Sequence, residues 1–190
     1  MRASKKLIGS TVLKATLSAA VMVAAIASTT AQAATQGTLG ATSTGSVVIT
    51  ASVPNRARIT GLSDVAFLNQ DPDTAASNAQ NVCVWSNTAT KGYTVTATGS
   101  GAANAFTLAN GALTVPYAVQ WNAASGQTSG TALSTGTASA GLVSTATHQR
   151  CDTGVATTSS LVVGIGTADL GSMQAAATYT GTLTLLVTPQ

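Results

Sequence analysis

The residues able to perform chemistry are few in this chain. His148 is its one histidine and stands beside Arg150 and Cys151. A single imidazole cannot assemble a His-rich metal site or a zinc motif. The many serines could complete a Ser-His-Asp set on paper, yet no GxSxG elbow is present to expose a nucleophile. His148 therefore reads as a surface loop residue. Asp64, Asp71, Asp73, Asp152 and Asp169 are the only side-chain carboxylates. They sit mostly in turn contexts, a poor source for the paired acid and base of glycoside cleavage. The expectation is a protein that is not an enzyme, with no catalytic residue, no metal ligand and no cofactor.

Weaker motifs resolve in the same direction. Asn69-x-Asp71-x-Asp73 has the opening spacing of a calcium loop, but Thr74 stands where glycine is needed and Gln80 where the bidentate glutamate is needed. A turn is the better reading. Gly164-x-Gly166 lacks a third glycine and a following helix, so a phosphate cradle is not expected. Trp85, Tyr93, Tyr117 and Trp121 could line a sugar-binding face, although so few large side chains are needed in the core of a β-protein. Cys83 and Cys151 are the only cysteines. A redox-active thiol would call for a CxxC partner or a regularly spaced basic neighbour, so a structural disulfide is expected. Closing so long a loop would stabilise the fold by roughly 3–4 kcal/mol.

The elements that must position these residues read as strands. Glutamate is absent and Leu, Lys and Arg are scarce, which disfavours helices; Thr and Val recur in short runs broken by Gly, Asn and Ser. After a Thr/Gly/Ser-rich opening over residues 35–45, Val47, Ile49, Ala51 and Val53 form a period-2 apolar face that Pro54 stops. Residues 56–62 and 65–68 read as short strands, and Cys83 lies in an apolar run from Val82 to Trp85. Residues 93–97 alternate; residues 106–108 and 113–121 form a further strand region, with Val115, Tyr117, Val119 and Trp121 in one parity. Residues 122–139 read as a long loop or edge excursion, 142–147 as a strand and 160–165 as a strand. In the final run Tyr179, Leu183, Leu185 and Val187 face one way. Many short strands without a long 3.6-residue period or an internal repeat indicate an all-β antiparallel sandwich.

The N-terminus has a different character. Arg2, Lys5, Lys6 and Lys14 precede or interrupt an apolar stretch that runs to Ile26, and Ala31-Gln32-Ala33 supplies small residues at a cleavage site. This is the order of a secretory signal over residues 1–33. Lys14 makes the run too short for the roughly 20 apolar residues of a membrane span, so no span is expected after signal removal. Export also changes the charge. The precursor's +3 falls to −1, because Arg56, Arg58, Lys91 and Arg150 then face five aspartates. No basic stripe is left for nucleic acid or anionic lipid. The remaining 157 residues suit one domain, able to bury roughly two-thirds of its unfolded surface.

Two segments together resemble a known family. Gly45-Ser46-Val47-Val48-Ile49-Thr50-Ala51-Ser52-Val53-Pro54 is similar to the N-terminal stretch of alternative-class chaperone–usher pilins. Tyr179-Thr180-Gly181-Thr182-Leu183-Thr184-Leu185-Leu186-Val187-Thr188-Pro189 resembles the closing strand of those pilins and of spore-coat-U-like archaic pilins. Ile59-Thr60-Gly61-Leu62-Ser63-Asp64-Val65 and Gly92-Tyr93-Thr94-Val95 fit the same plan. Archaic relatives often carry a cysteine in the first strand where this chain has Ala57, so the subfamily stays open. The resemblance implies an immunoglobulin-like sandwich over residues 55–190 that lacks its last strand. Residues 34–54 would be a leader whose Val47, Ile49, Ala51 and Val53 fill the groove of the next subunit, beside the strand of Tyr179, Leu183, Leu185 and Val187.

The function implied is a structural pilus subunit, polymerised head to tail by donor-strand exchange. Its partners would be like subunits, a periplasmic chaperone and an outer-membrane usher, and its destination the periplasm and then the cell surface. The leader read instead as the sandwich's own first strand would give a plain exported coat protein. Aromatic and Asn-rich loops would instead give a monomeric surface adhesin or a carbohydrate-binding module. N-terminal sequencing of the exported protein is expected to begin at Ala34; a start at Met1 would remove the signal from this scheme.

Overall fold

A computed structural model describes residues 33–190, so the expected signal lies, except for Ala33, outside the described residues. The chain divides into two units between Ala51 and Ser52. In the first, residues 33–51 are exposed throughout, and a single antiparallel bridge joins Thr35 to Ser46 through two main-chain hydrogen bonds of 2.9 Å. The alternating strand expected over residues 46–53 is not formed. Residues 47–53 make no main-chain hydrogen bond to a described residue. An alternating apolar run becomes a strand only when a neighbour satisfies its edge.

The second unit is an antiparallel β-sandwich. Its strands are β1 (Ala57–Thr60), β2 (Ala76–Ser86), β3 (Gly92–Gly99), β4 (Thr107–Asn110), β5 (Leu113–Pro116), β6 (Ala118–Asn122), β7 (Thr131–Ala132), β8 (Leu142–Val143), β9 (Ser159–Ile165) and β10 (Leu183–Pro189). One sheet runs β1-β2-β9-β6-β7 and the other β10-β3-β8, with β4 and β5 as a separate hairpin. Alternation decides which residues face inward. Tyr93, Val95 and Ala97 of β3 are fully buried, as are Val82 and Val84 of β2; they pack in one core with Val119 and Trp121 of β6 and Leu161, Val163 and Ile165 of β9.

The core also holds hydroxyls, and all but that of Tyr117 have a partner. The Tyr93 hydroxyl lies 3.0 Å from Ser159 Oγ and accepts from Trp121 Nε1 at 3.4 Å. Past its ladder with β9, which ends at Val82, strand β2 is completed by side chains. The Val84 amide donates to Thr158 Oγ1 at 2.9 Å, and Ser144 Oγ donates to the Val84 carbonyl. Cys83, only 2 % exposed, is bonded to Cys151 and fastens the loop before β9 to this part of β2.

Several expected boundaries move. The strand expected over 56–62 ends at Thr60, because Gly61 adopts φ +83° and turns the chain away. Residues 65–68 keep a strand-like alternation of burial but have no ladder and form no strand. Residues 76–81, polar enough to pass for a loop, are strand, because the buried run Leu161–Ile165 of β9 needs a hydrogen-bonding neighbour. The strand expected over 142–147 stops after Val143, where Ser144 turns to bond across to β2. The excursion over 122–139 contains β7. A five-residue helix, α1 (Thr167–Gly171), does follow Gly164-x-Gly166; Asp169 in its first turn suits the helix dipole and Leu170 anchors it in the core.

Cys83→Ser or Cys151→Ser is expected to lower unfolding free energy by about 3–4 kcal/mol. Urea denaturation followed by tryptophan fluorescence measures it, and an unchanged midpoint would show that the bridge contributes nothing.

Candidate binding groove

The two ends of the sandwich edges differ. Strand β3 is flanked by β10 on one side; on the other, β8 and residues 135–139 cover it, through bonds such as Ser139 N to the Val95 carbonyl and Gly136 N to the Ala97 carbonyl, both 2.8 Å. Among the described residues, strand β10 has β3 as its one strand neighbour. Its side chains alternate along its length, with Leu183, Leu185 and Val187 half-buried and Thr184, Leu186 and Thr188 exposed. Beside it the sandwich opens into a groove of about 1150 Å³.

One wall of the groove is β10, through Leu183 and Leu185, and the other is the strandless segment 62–70 with Pro72. Leu161, Val163 and Ile165 of β9, Leu108 of β4 and Tyr117 complete the lining from the core side, with Leu170, Met173 and Tyr179 at the α1 end. Phe67 packs the strandless wall against the core, and among the described residues one side chain hydrogen-bonds the wall to the sheet. Gln80 on β2 accepts from Ser63 N at 2.8 Å and from Ser63 Oγ at 3.2 Å, while its Nε2 donates to the Ser63 carbonyl at 3.1 Å. This amide does for the wall what a ladder does for a strand. Asp64 is the single charged residue of the lining, so the groove is electrostatically plain.

Tyr117 stands out in this lining. Its ring packs on Phe106 with centroids 5.7 Å apart, and the residue is only 8 % exposed. Its hydroxyl is buried and has no hydrogen-bond partner among the described residues. Burial pushes the phenol above its usual pKa. By contrast the Tyr179 hydroxyl accepts from Gln174 N at 3.0 Å.

The residues singled out from sequence fall in three groups. Tyr179, Leu183 and Leu185 line the groove, and Val187 shares the inward face of β10 beyond the lining. Val47, Ile49, Ala51 and Val53 are exposed, Ile49 at 88 %. Cys83 and Cys151 are bonded to one another. Tyr93, Tyr117 and Trp121 belong to the core and Trp85 is half-buried, so these aromatics do not form an open sugar-binding face. His148 is an exposed loop residue whose Nδ1 lies 2.5 Å from Asp152 Oδ1. The 69–73 motif is a turn, in which Asp71 Oδ1 accepts from Asp73 N at 3.0 Å. Sequence reasoning missed the Gln80 clamp and the unpaired Tyr117 hydroxyl. Neither has a local signal, since each depends on what the fold brings alongside.

Among the described residues, no helix is long and apolar enough to cross a membrane. No protein-family model and no curated protein matches the chain.

Gln80→Ala is expected to free the strandless wall. Amide exchange at Ser63 should accelerate well ahead of that at Val84, with a stability loss of about 1 kcal/mol. Equal protection in both proteins would show that something else holds the wall.

Proposed function

We propose that this protein is a structural subunit of a surface fibre, an incomplete immunoglobulin-like sandwich completed by the leader of the next copy. The observation that carries this reading is the apolar groove beside the free edge of β10. Its occupant is the run from Val47 to Val53 of a second copy. That run is seven residues long, as is β10, so the two match at about 23 Å of strand. The run carries no charge and offers Val47, Ile49, Ala51 and Val53 on one face. Its apolar side chains are exposed in the single chain, at 70 % for Val47 and 77 % for Val53. An exposed strand edge above apolar pockets is an aggregation hazard until it is filled. Adding a strand satisfies its main-chain groups and its side-chain pockets together.

Because leader and groove are different surfaces, the contact is head to tail and does not close on itself, so repeated contacts extend a fibre. A subunit with an unfilled groove needs protection before assembly. A periplasmic chaperone that lends a strand, and an outer-membrane usher that exchanges it for the next leader, would supply that protection. The resemblance to chaperone–usher pilins supports these partners, the route through the periplasm and the cell-surface destination. On this reading the protein has a mechanical and adhesive role and no catalytic one.

The purified exported protein is expected to run on unheated SDS gels as a ladder that collapses to monomer on boiling. Deleting residues 34–53 should abolish the ladder. Ile49→Asp should weaken association at least roughly a hundredfold, because it carries a carboxylate into an apolar pocket. A ladder that persists after the deletion would overturn the proposal.

A further inference from the structure

The groove contains one group that an apolar strand does not obviously satisfy. Tyr117 lines it, and the Tyr117 hydroxyl is the one buried side-chain polar atom among the described residues that lacks a hydrogen-bond partner. The other buried hydroxyls of the sandwich are paired, as Tyr93 is with Ser159 and Thr158 with the Val84 amide. Leaving a hydroxyl buried and unpaired is costly, and native folds seldom do it without a reason. The cost would vanish had position 117 been phenylalanine, which would keep the packing against Phe106. A phenol is already neutral near pH 7 and burial pushes its pKa further up, so it has a proton to donate. It lacks an acceptor.

We propose that the Tyr117 hydroxyl is the polar anchor of the groove, donating a hydrogen bond to a main-chain carbonyl next to Ala51 of the seated strand. This rests on the donor-strand reading above and names the contact that sets its register. The leader residues on the inward face limit where the acceptor can be. The hydroxyl is closed to solvent in the single chain, and an O–H···O bond needs about 2.7–2.8 Å between oxygens, so the lining must yield as the strand seats and the strand's main chain must come close to the hydroxyl. Val47, Ile49 and Val53 carry β-branched side chains that hold the main chain away from the tyrosine. Ala51 is the one inward residue whose side chain ends at Cβ. The hydroxyls of Thr50 and Ser52 have the opposite parity and face away from the groove. A slip of two residues along the groove would put Ile49 or Val53 against Tyr117 and leave the hydroxyl unpaired. The bond therefore penalises the wrong register as well as rewarding the right one.

The test uses the monomer fraction of the full exported chain and a fluorescent synthetic peptide of residues 46–54, with binding read by anisotropy. Tyr117→Phe is expected to weaken peptide binding roughly threefold to tenfold, the value of one net hydrogen bond. The same variant should melt at the wild-type temperature or above it as a monomer, since it removes an unpaired hydroxyl. A purely structural tyrosine would instead lower the monomer's melting temperature and leave peptide affinity alone. An Ala51→Val peptide should bind wild type more weakly, and lose less on Tyr117→Phe, because the two positions act through one contact. If Tyr117→Phe binds the peptide as tightly as wild type, or Ala51→Val loses equally on both proteins, the anchor is wrong while strand donation stands. If the peptide binds neither protein, strand donation itself is wrong.

Discussion

A β-strand presents hydrogen-bonding groups along two edges, and among the described residues β10 has a strand neighbour on only one of them. Much of the sandwich is arranged around that asymmetry. At the β3 side, β8 and residues 135–139 close the sheet with main-chain bonds. At the β10 side the chain passes the site as residues 62–72, which form no ladder, although residues 65–68 alternate in burial as a strand would. Gly61 begins this departure by taking a left-handed turn, and Gln80 limits how far the segment drifts. The gap that results is bounded by backbone at both margins and by aliphatic side chains beneath.

The rest of the domain is well satisfied by comparison. Where β2 outruns its ladder with β9, Thr158 and Ser144 complete its hydrogen bonds and the Cys83–Cys151 bridge fastens the loop that carries them. Where tyrosine and tryptophan enter the core, Ser159 meets the hydroxyl and the hydroxyl meets the indole. A protein poor in charge relies on such small neutral donors and acceptors to fix the packing of its core. Against that background, one unpaired phenol at one groove is a local exception, of a kind that calls for an explanation.

Much of this was legible in the residues. Tyr93, Val95 and Ala97, then Val119 and Trp121, then Leu183, Leu185 and Val187, each show period-2 alternation, and each lies in a strand with those residues turned inward. The cysteine pairing followed from there being two and no redox motif. Legibility failed where a neighbour, and not the segment itself, decides the structure. Residues 76–81 are strand because β9 needs them, and their Asn and Gln content conceals it. Residues 65–68 and 47–53 alternate convincingly and yet are not strands, because alternation describes side chains and a ladder requires a partner's main chain. Tyr117 was assigned to the core by its type and parity, and it lies there. That its hydroxyl meets nothing could be read only once its surroundings were known.

The near absence of charge from the groove has a kinetic side. With Asp64 as the only charged residue of the lining and no charged side chain in residues 46–54, the proposed pairing of leader and groove would have little field to draw the two surfaces together from a distance. Encounter then proceeds at the unsteered rate, about 10⁵–10⁶ M⁻¹s⁻¹, some orders of magnitude below what complementary charge achieves at low salt. The same neutrality would leave the proposed contact with little charge–charge attraction for salt to screen. On the proposed reading, such a contact would form slowly and hold by fit.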